Sequence, residues 1–350
     1  MKKLFASLAL LVATSAMSLF AQSNLVATLI HEGTVTAYYS GSAFVQAYNA
    51  AANGDTIMLS SGSFQAVNIS KSLTIIGSGM HTDTIKNIFP TKLAGDFAIG
   101  ANEATLSNVK LEGVYHNGTI TMGVYRATLQ NCTFHKCRFR AVSDYNAGFT
   151  NAATHHNTVF SNCIITYDAT FDRSKQSNIS FINSVVHNAD IMGGTTPSME
   201  FVNCIYIMNF NNATLSEVGN SNFTNCLIIT DKDRGNLPIY ANANRCVSNF
   251  NCFGNITDNT NPVVSGYADL FKTYTGTYTD WETFELTDAA KAKYLGTDGT
   301  EVGIYGGYLP FSPETTMPKI SKFNVAKKST ADGKLSVDIE VVAGDSGLEP

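Results

Sequence analysis

Phe160-Ser161-Asn162-Cys163-Ile164-Ile165 opens the stretch that decides the fold, residues 160–264, because the same phrase keeps returning. It recurs as Phe181-Ile182-Asn183-Ser184-Val185-Val186, as Phe201-Val202-Asn203-Cys204-Ile205-Tyr206 and as Phe223-Thr224-Asn225-Cys226-Leu227-Ile228. Looser copies stand at Leu106-Ser107-Asn108-Val109, at Leu129-Gln130-Asn131-Cys132 and around Asn251-Cys252. From Asn108 onward the asparagines are spaced by 23, 31, 21, 20, 22 and 26 residues. A period in this range, with strand-forming residues in each copy, is the signature of a solenoid, in which a repeat buries its apolar side chains only by stacking on its neighbours.

The phrase has a physical reading as one rung. Phe160 points inward, Asn162 sits at a bend, and Cys163 and Ile165 point inward on the next strand. Asparagine suits the bend because it tolerates the left-handed conformation. With rungs about 4.8 Å apart, Phe160, Phe181, Phe201 and Phe223 are expected to form an aromatic column. The asparagines are expected to form a ladder bonded side chain to side chain. Cys132, Cys163, Cys204, Cys226 and Cys252 share one place in the phrase, with Ser184 substituting once. They read as a column of small buried groups, since a free cysteine packs as a modest hydrophobe; a disulfide between neighbouring rungs is the alternative. Cys137 and Cys246 fall outside that column. No tight cysteine pair meets a suitably spaced histidine pair, which argues against zinc.

Upstream, 25–41 reads as one or two strands, and 42–53 as an amphipathic helix with Phe44, Val45, Tyr48 and Ala51 on one face, Ser42 as its cap and Gly54 as its end. Such a helix is placed to cover the open first rung. The segment Gly54-Asp55-Thr56-Ile57, the turn Ser61-Gly62-Ser63-Phe64 and the strand Ile69-Ser70-Lys71-Ser72-Leu73-Thr74-Ile75-Ile76-Gly77 follow. This order resembles the first turns of pectin-lyase-like right-handed parallel β-helices, and residues 25–310 are similar to secreted β-helix proteins of Bacteroidetes bacteria. The resemblance implies an all-β, right-handed parallel β-helix over 22–310 with an N-terminal capping helix. Gly296-Thr297-Asp298-Gly299-Thr300-Glu301-Val302-Gly303 resembles the closing phrase of those proteins. Pro310, Pro313 and Pro318 mark a linker at 311–318, and 319–350 reads as a short β-rich tail with Asp332-Gly333 at its turn.

Only 15% of the residues are charged, which suits buried strands joined by polar, uncharged turns. Lys2 and Lys3, followed by an apolar run over 4–19, read as a signal peptide of residues 1–21, cut before Gln22 or alternatively after Ala16. Removing both lysines leaves 21 basic residues against 28 acidic ones, a change from −5 to −7. That balance excludes nucleic acid as an expected partner. No later apolar run is long enough to span a bilayer, so the chain is expected to be exported to the periplasm, outer surface or medium.

Counted from the repeat asparagines, charges collect at offsets of six to eleven residues. Arg138 and Arg140 follow Asn131, Asp168, Asp172 and Arg173 follow Asn162, Asp190 follows Asn183, and Asp231, Asp233 and Arg234 follow Asn225. Equal offsets on five rungs predict one polar strip roughly 20 Å long, enough for several sugar units. The interval from Asn131 to Asn162 carries about ten extra residues by comparison with a rung of about 21. Asp144, Tyr145, His155 and His156 lie in it. The expected function is glycan or surface-partner binding along this flank, without a catalytic motif. The alternative is a polysaccharide lyase or glycoside hydrolase, including one acting on uronates. There Arg138 or Arg140 would be the base or carboxylate clamp and Asp168 and Asp172 the metal or acid groups, with Ca2+ as cofactor if it is a lyase. Asp144, Tyr145, His155, Asp190, Asp231 and Arg234 would then contact substrate. The Arg-x-Pro-x-x-Arg phrase of pectate lyases is missing, as are the polygalacturonase motifs, so no catalytic residue carries over from the resemblance.

Overall fold

The structure is a computed structural model that describes residues 25–82, 89–144, 153–172, 178–187, 189–192, 199–208, 221–230, 242–249, 261–264, 266–279, 282–314, 318–326, 328–330 and 332–342. The signal-peptide reading of residues 1–21 lies outside them. After an antiparallel start at Val26–His31 and Thr34–Tyr39, mostly short strands stack in parallel register into a β-solenoid of about six turns. Two faces are 11-stranded sheets and a third, of three strands, is made by Thr105–Ser107, Thr128–Gln130 and Thr154–His156.

Each rung enters the first sheet, turns a corner and enters the second. The corner residue is left-handed: Gly113, Lys136, Asn162, Asn183, Asn203, Asn225 and Arg245 all have φ between 45° and 63°. Asn108, Asn131 and Asn157 are also left-handed but stand at the preceding corner, between the third sheet and the first. The sequence spacing therefore joins two different corners. Matched corner to corner, the rung from Lys136 to Asn162 is 26 residues long and the next, to Asn183, is 21. The expected ten-residue insertion shrinks to about five.

Inside, Phe134, Phe160, Phe181, Phe201 and Phe223 stack with centroids 4.6, 5.0, 5.0 and 4.5 Å apart and planes within 13° of parallel. The aromatic column expected from the sequence is present and extends one rung further, to Phe134. The thiol column also forms, with corrected membership. Cys137 pairs in register with Cys163 through Arg138 opposite Ile164, and Cys246 follows Cys226 through Val247 opposite Leu227. Cys132 instead follows the earlier corner at Asn131, and Cys252 is outside the described residues. The six described cysteines are free and buried. Their place in the rung calls for a small donor: Cys163 Sγ donates to Phe134 O and Ser161 O, Ser184 Oγ to Phe160 O and Ile182 O, and Cys226 Sγ to Phe201 O and Thr224 O. Serine and cysteine interchange because both are small donors able to add a second bond to these carbonyls, of which Ser161 O, Ile182 O and Thr224 O already accept from the corner N–H groups of Lys136, Asn162 and Asn203.

The asparagines of the corner between the first and second sheets do not bond one another, whereas Asn157 and Asn131 at the preceding corner do. The C-terminal segment 294–314 folds back along their corner and takes their amides. Asn162 Nδ2 donates to Leu309 O, Asn183 Nδ2 to Ile304 O and Gly306 O, and Asn225 Nδ2 to Thr297 Oγ1. In return Ser312 N–H and Thr297 N–H donate to Asn162 Oδ1 and Asn225 Oδ1. Another amide-to-amide bond runs from Asn242 to Asn222. The closing phrase thus straps the solenoid instead of simply ending it. Gly307 lies so close that a Cβ there would meet Asn203 Nδ2 at 2.0 Å, at φ +78°.

Residues 264–304 also seal part of the second sheet's outer face. Ile164, Val185, Ile205, Leu227 and Val247, the outward positions of successive rungs, form one buried cluster with Leu270, Phe271, Phe284, Leu286, Val302 and Ile304. His187 is buried in this contact, its ring edge-on to Tyr278 at 4.8 Å. Burial pushes its pKa down to about 4. In the unfolded chain it titrates near its ordinary value of about 6.5, so between those limits the unfolded state binds the extra proton. Stability from this group is full above pH 6.5 and is lost as pH falls toward 4, on the order of 3 kcal/mol. Urea midpoints measured at pH 7 and 4.5 are expected to show that fall, and His187→Phe to reduce it.

At the other end, helix Ala43–Ala50 packs against strands Val26–His31 and Thr34–Tyr39 and buries Ala43, Phe44, Ala47 and Tyr48. It is shorter than the expected 42–53, and Ser42 makes no side-chain cap bond. Lys71 closes its C-terminal end, donating to the carbonyls of Tyr48 and Ala51 at 2.7 Å. The tail holds strands Lys319–Val325 and Val337–Val342, paired antiparallel.

Candidate binding face

Corner-to-corner register moves the predicted charges relative to one another. Arg138 is the second residue after its corner and aligns with Ile164, whereas Asp168 aligns with Ala141, beyond a bulge in which Thr166 and Tyr167 oppose Arg140. Asp190 aligns with Thr170, and Asp172 with Met192. Equal offsets therefore do not bring Arg138 level with Asp168: counting Arg138 from Asn131 began one corner too early. The side chains of Asp168, Asp172 and Asp190 lie outside the described residues, as do Tyr145, Asp231 and Arg234 altogether. Asp144 and His155 do come together, His155 Nε2 lying 3.5 Å from Asp144 Oδ1, but their side chains are only 2% and 0% exposed. Placed inside the rung, they do not line the outer face on which substrate contact was expected.

What the register does assemble is a column of cations and an aromatic ring. Lys92, Tyr115 and Arg138 are aligned on successive rungs of the second sheet. Lys92 Nζ lies 5.6 Å from the Tyr115 centroid, and the Arg138 guanidinium carbon lies 5.3 Å from it on the next rung. One step along, the Arg140 guanidinium lies 4.4 Å from the ring of Tyr167, which is 57% exposed. Cation–π contact of this kind contributes roughly 0.5–1 kcal/mol at exposed sites, and it holds the long cationic side chains upright along the column.

Beside the column is a cavity of about 130 Å³ lined by Met80, His81, Thr82, Pro90, Lys92, Tyr115 and Arg138. Its described lining carries Lys92 and Arg138 and no carboxylate. The volume is well below the roughly 300 Å³ at which ligand pockets begin, so it suits one anionic substituent of a larger molecule. Farther along the same outward row the positions are Ile164, Val185, Ile205, Leu227 and Val247, all under the C-terminal segment. Among the described residues, Lys92 is exposed and Tyr115 and Arg138 are half-buried, whereas the apolar positions of the row are closed.

The sequence reading found Arg138 and Arg140 but missed Lys92, Tyr115 and Tyr167. The available signal was Gly113: a glycine at the left-handed corner aligns Gly113-Val114-Tyr115 with Lys136-Cys137-Arg138. A second polar row, Glu112, His135 and Ser161, runs along the first sheet, with His135 Nδ1 2.9 Å from Ser161 Oγ. Its residue types match a nucleophile, a base and an orienting acid, but all three are buried. Burial, opposed by Glu112, pushes His135 down to about 4. The row alternates with the inward Leu111, Phe134 and Phe160 and so lies on the outer side of the sheet, where Glu112 pairs with Lys110. Among the described residues no group of three or more His, Cys, Asp or Glu is arranged to hold a metal, and no helix is long and apolar enough to cross a membrane.

Fold and face together define the class: a parallel β-solenoid with a basic and aromatic column on one outer face. Comparison with protein-family models, curated proteins and solved structures gives no match, so the functional reading rests on this geometry.

Proposed function

We propose that this chain is an exported or cell-surface protein of the right-handed, pectin-lyase-like β-helix type, capped by its N-terminal helix, that binds glycans through the outer face of the second sheet. The observation that carries the reading is the Lys92, Tyr115 and Arg138 column, which among the described residues is exposed or half-buried where the apolar positions of that row are sealed. Two cations on either side of the Tyr115 rung, about 10 Å apart along the axis at one strand spacing per rung, match acidic groups repeated along a polysaccharide. The lyase or hydrolase alternative draws on Arg140 and Tyr167, whose rung carries Asp168 in the adjoining backbone position.

Electrophoresis in gels containing uronate-bearing, sulfated or neutral polysaccharides tests the binding reading. Retardation is expected with the acidic polymers, weakening as salt is raised, and several-fold smaller in Lys92→Ala and Arg138→Ala. Equal migration in every gel would remove the reading. New unsaturated or reducing ends that vanish in Arg140→Ala or Asp168→Ala would place the protein with the enzymes.

A further inference from the structure

The geometry points to association with a second copy of this chain through strand Thr34–Tyr39, the two strands pairing antiparallel about a two-fold axis at Ala37. This strand is the outermost of the first sheet at its N-terminal end. One side pairs with Val26–His31 over six consecutive residues without a bulge, and among the described residues no strand pairs with the other side. Exposed sheet edges are ordinarily blunted by charge, proline, bulges or shortness, because unpaired peptide groups recruit another strand. Thr34-Val35-Thr36-Ala37-Tyr38-Tyr39 has none of these guards and is rich in β-branched and aromatic residues. The sheet's opposite end is different: Asn242–Asn244 is three residues of weak strand formers, followed by Arg245 at positive φ.

The hairpin also fixes the register of the second copy. Glu32 and Gly33 have φ of 47° and 81°, as a two-residue turn closing on His31 and Thr34 requires. Ser40 N–H donates to Leu25 O. By the alternation of antiparallel pairing, Thr34, Thr36 and Tyr38 direct their peptide groups toward the neighbouring strand, and Val35, Ala37 and Tyr39 direct theirs outward. A second copy docked about Ala37 sets Val35 against its Tyr39 and Tyr39 against its Val35. Val35 is 63% and Tyr39 66% exposed, large values for apolar side chains, and β-branched with aromatic is among the pairs that stabilise a ladder. Ala37 leaves room at the axis. Behind them, Ile30 opposite Val35 and Val26 opposite Tyr39 extend the apolar surface on the same face. One strand pair is a small interface, so the dimer is expected to be concentration-dependent.

The test uses the full chain. Ala37→Cys, treated with oxidised glutathione, is expected to give one reducible dimer, because directly opposed Cα atoms in a hydrogen-bonded pair lie about 5.5 Å apart, within disulfide reach. Val35→Cys alone is expected to stay monomeric but to cross-link when mixed with Tyr39→Cys. Sedimentation of the unmodified chain is expected to show a dimer fraction that rises with concentration, and Ala37→Lys to weaken it at least tenfold by placing like charges at the axis. A circular-dichroism spectrum unchanged in each variant keeps folding out of the comparison. A monomer at every concentration with an uncross-linked Ala37→Cys overturns the proposal, whether the edge is bare or covered by residues 1–24. So does self-linking of Val35→Cys equal to that of Ala37→Cys, or a dimer indifferent to Ala37→Lys.

Discussion

Phe181→Ala is expected to lower the unfolding free energy by about 4 kcal/mol, read as a shift in urea midpoint at unchanged slope. Phe181 is fully buried and stacks on two rings, Phe160 and Phe201, each 5.0 Å away. The loss combines the transfer of a large side chain, the cavity left behind, and two stacked contacts of roughly 0.5–1.5 kcal/mol each. Phe223 provides an internal comparison, because it stacks on Phe201 at 4.5 Å, meets Tyr206 edge-on at 5.6 Å and faces Ala243 on the following rung. With two aromatic contacts of its own, Phe223→Ala is expected to cost a similar amount, within about 1 kcal/mol. A loss at Phe223 smaller by well over that margin would mean that the parallel stack, and not aromatic contact in general, sets the contribution of the column.

Asn183→Ala should destabilise the protein by about 3 kcal/mol, through two separable effects. Its amide donates to Ile304 O at 2.8 Å and Gly306 O at 2.7 Å, so removing it strands two carbonyls of the C-terminal strap. Its backbone also holds φ at 45°, where alanine is strained by roughly 1–2 kcal/mol and glycine is not. Asn183→Gly should thus cost about 1 kcal/mol less than Asn183→Ala, while both accelerate proteolysis within 294–314. If glycine proves as damaging as alanine, the left-handed corner is not what selects asparagine. If neither variant speeds cleavage of the strap, the amides do not hold it.

The cysteines show why the repeat was legible and its register less so. A column of small donors was readable from Cys163, Ser184, Cys204 and Cys226, because identical positions in a solenoid must stack. Its membership at the ends was not: Asn131-Cys132 and Lys136-Cys137 both place a left-handed residue before a thiol, and only strand pairing shows which corner each occupies. The candidate face suffered from the same ambiguity. Arg138 was picked out from an offset counted from the wrong corner, and its partners Lys92 and Tyr115 were passed over because their rungs turn at glycine or lack the repeated phrase.

The strap illustrates a deeper limit. Nothing in Gly303-Ile304-Tyr305-Gly306-Gly307 announces that its carbonyls and backbone meet Asn183 and Asn203, more than a hundred residues earlier. Local pattern dictates a corner residue that tolerates positive φ, but what its side chain bonds depends on which distant segment lies against it. The sequence by itself determined the stacking of rungs, the inward aromatic and thiol columns, and the corner asparagines, since each follows from periodic burial and local backbone sterics. Only the tertiary structure decided the rung register, the closure of the second sheet under the C-terminal segment, and hence the exposed or half-buried stretch at Lys92, Tyr115 and Arg138. Those depend on contacts between segments remote in the chain, for which a repeat has no local signal.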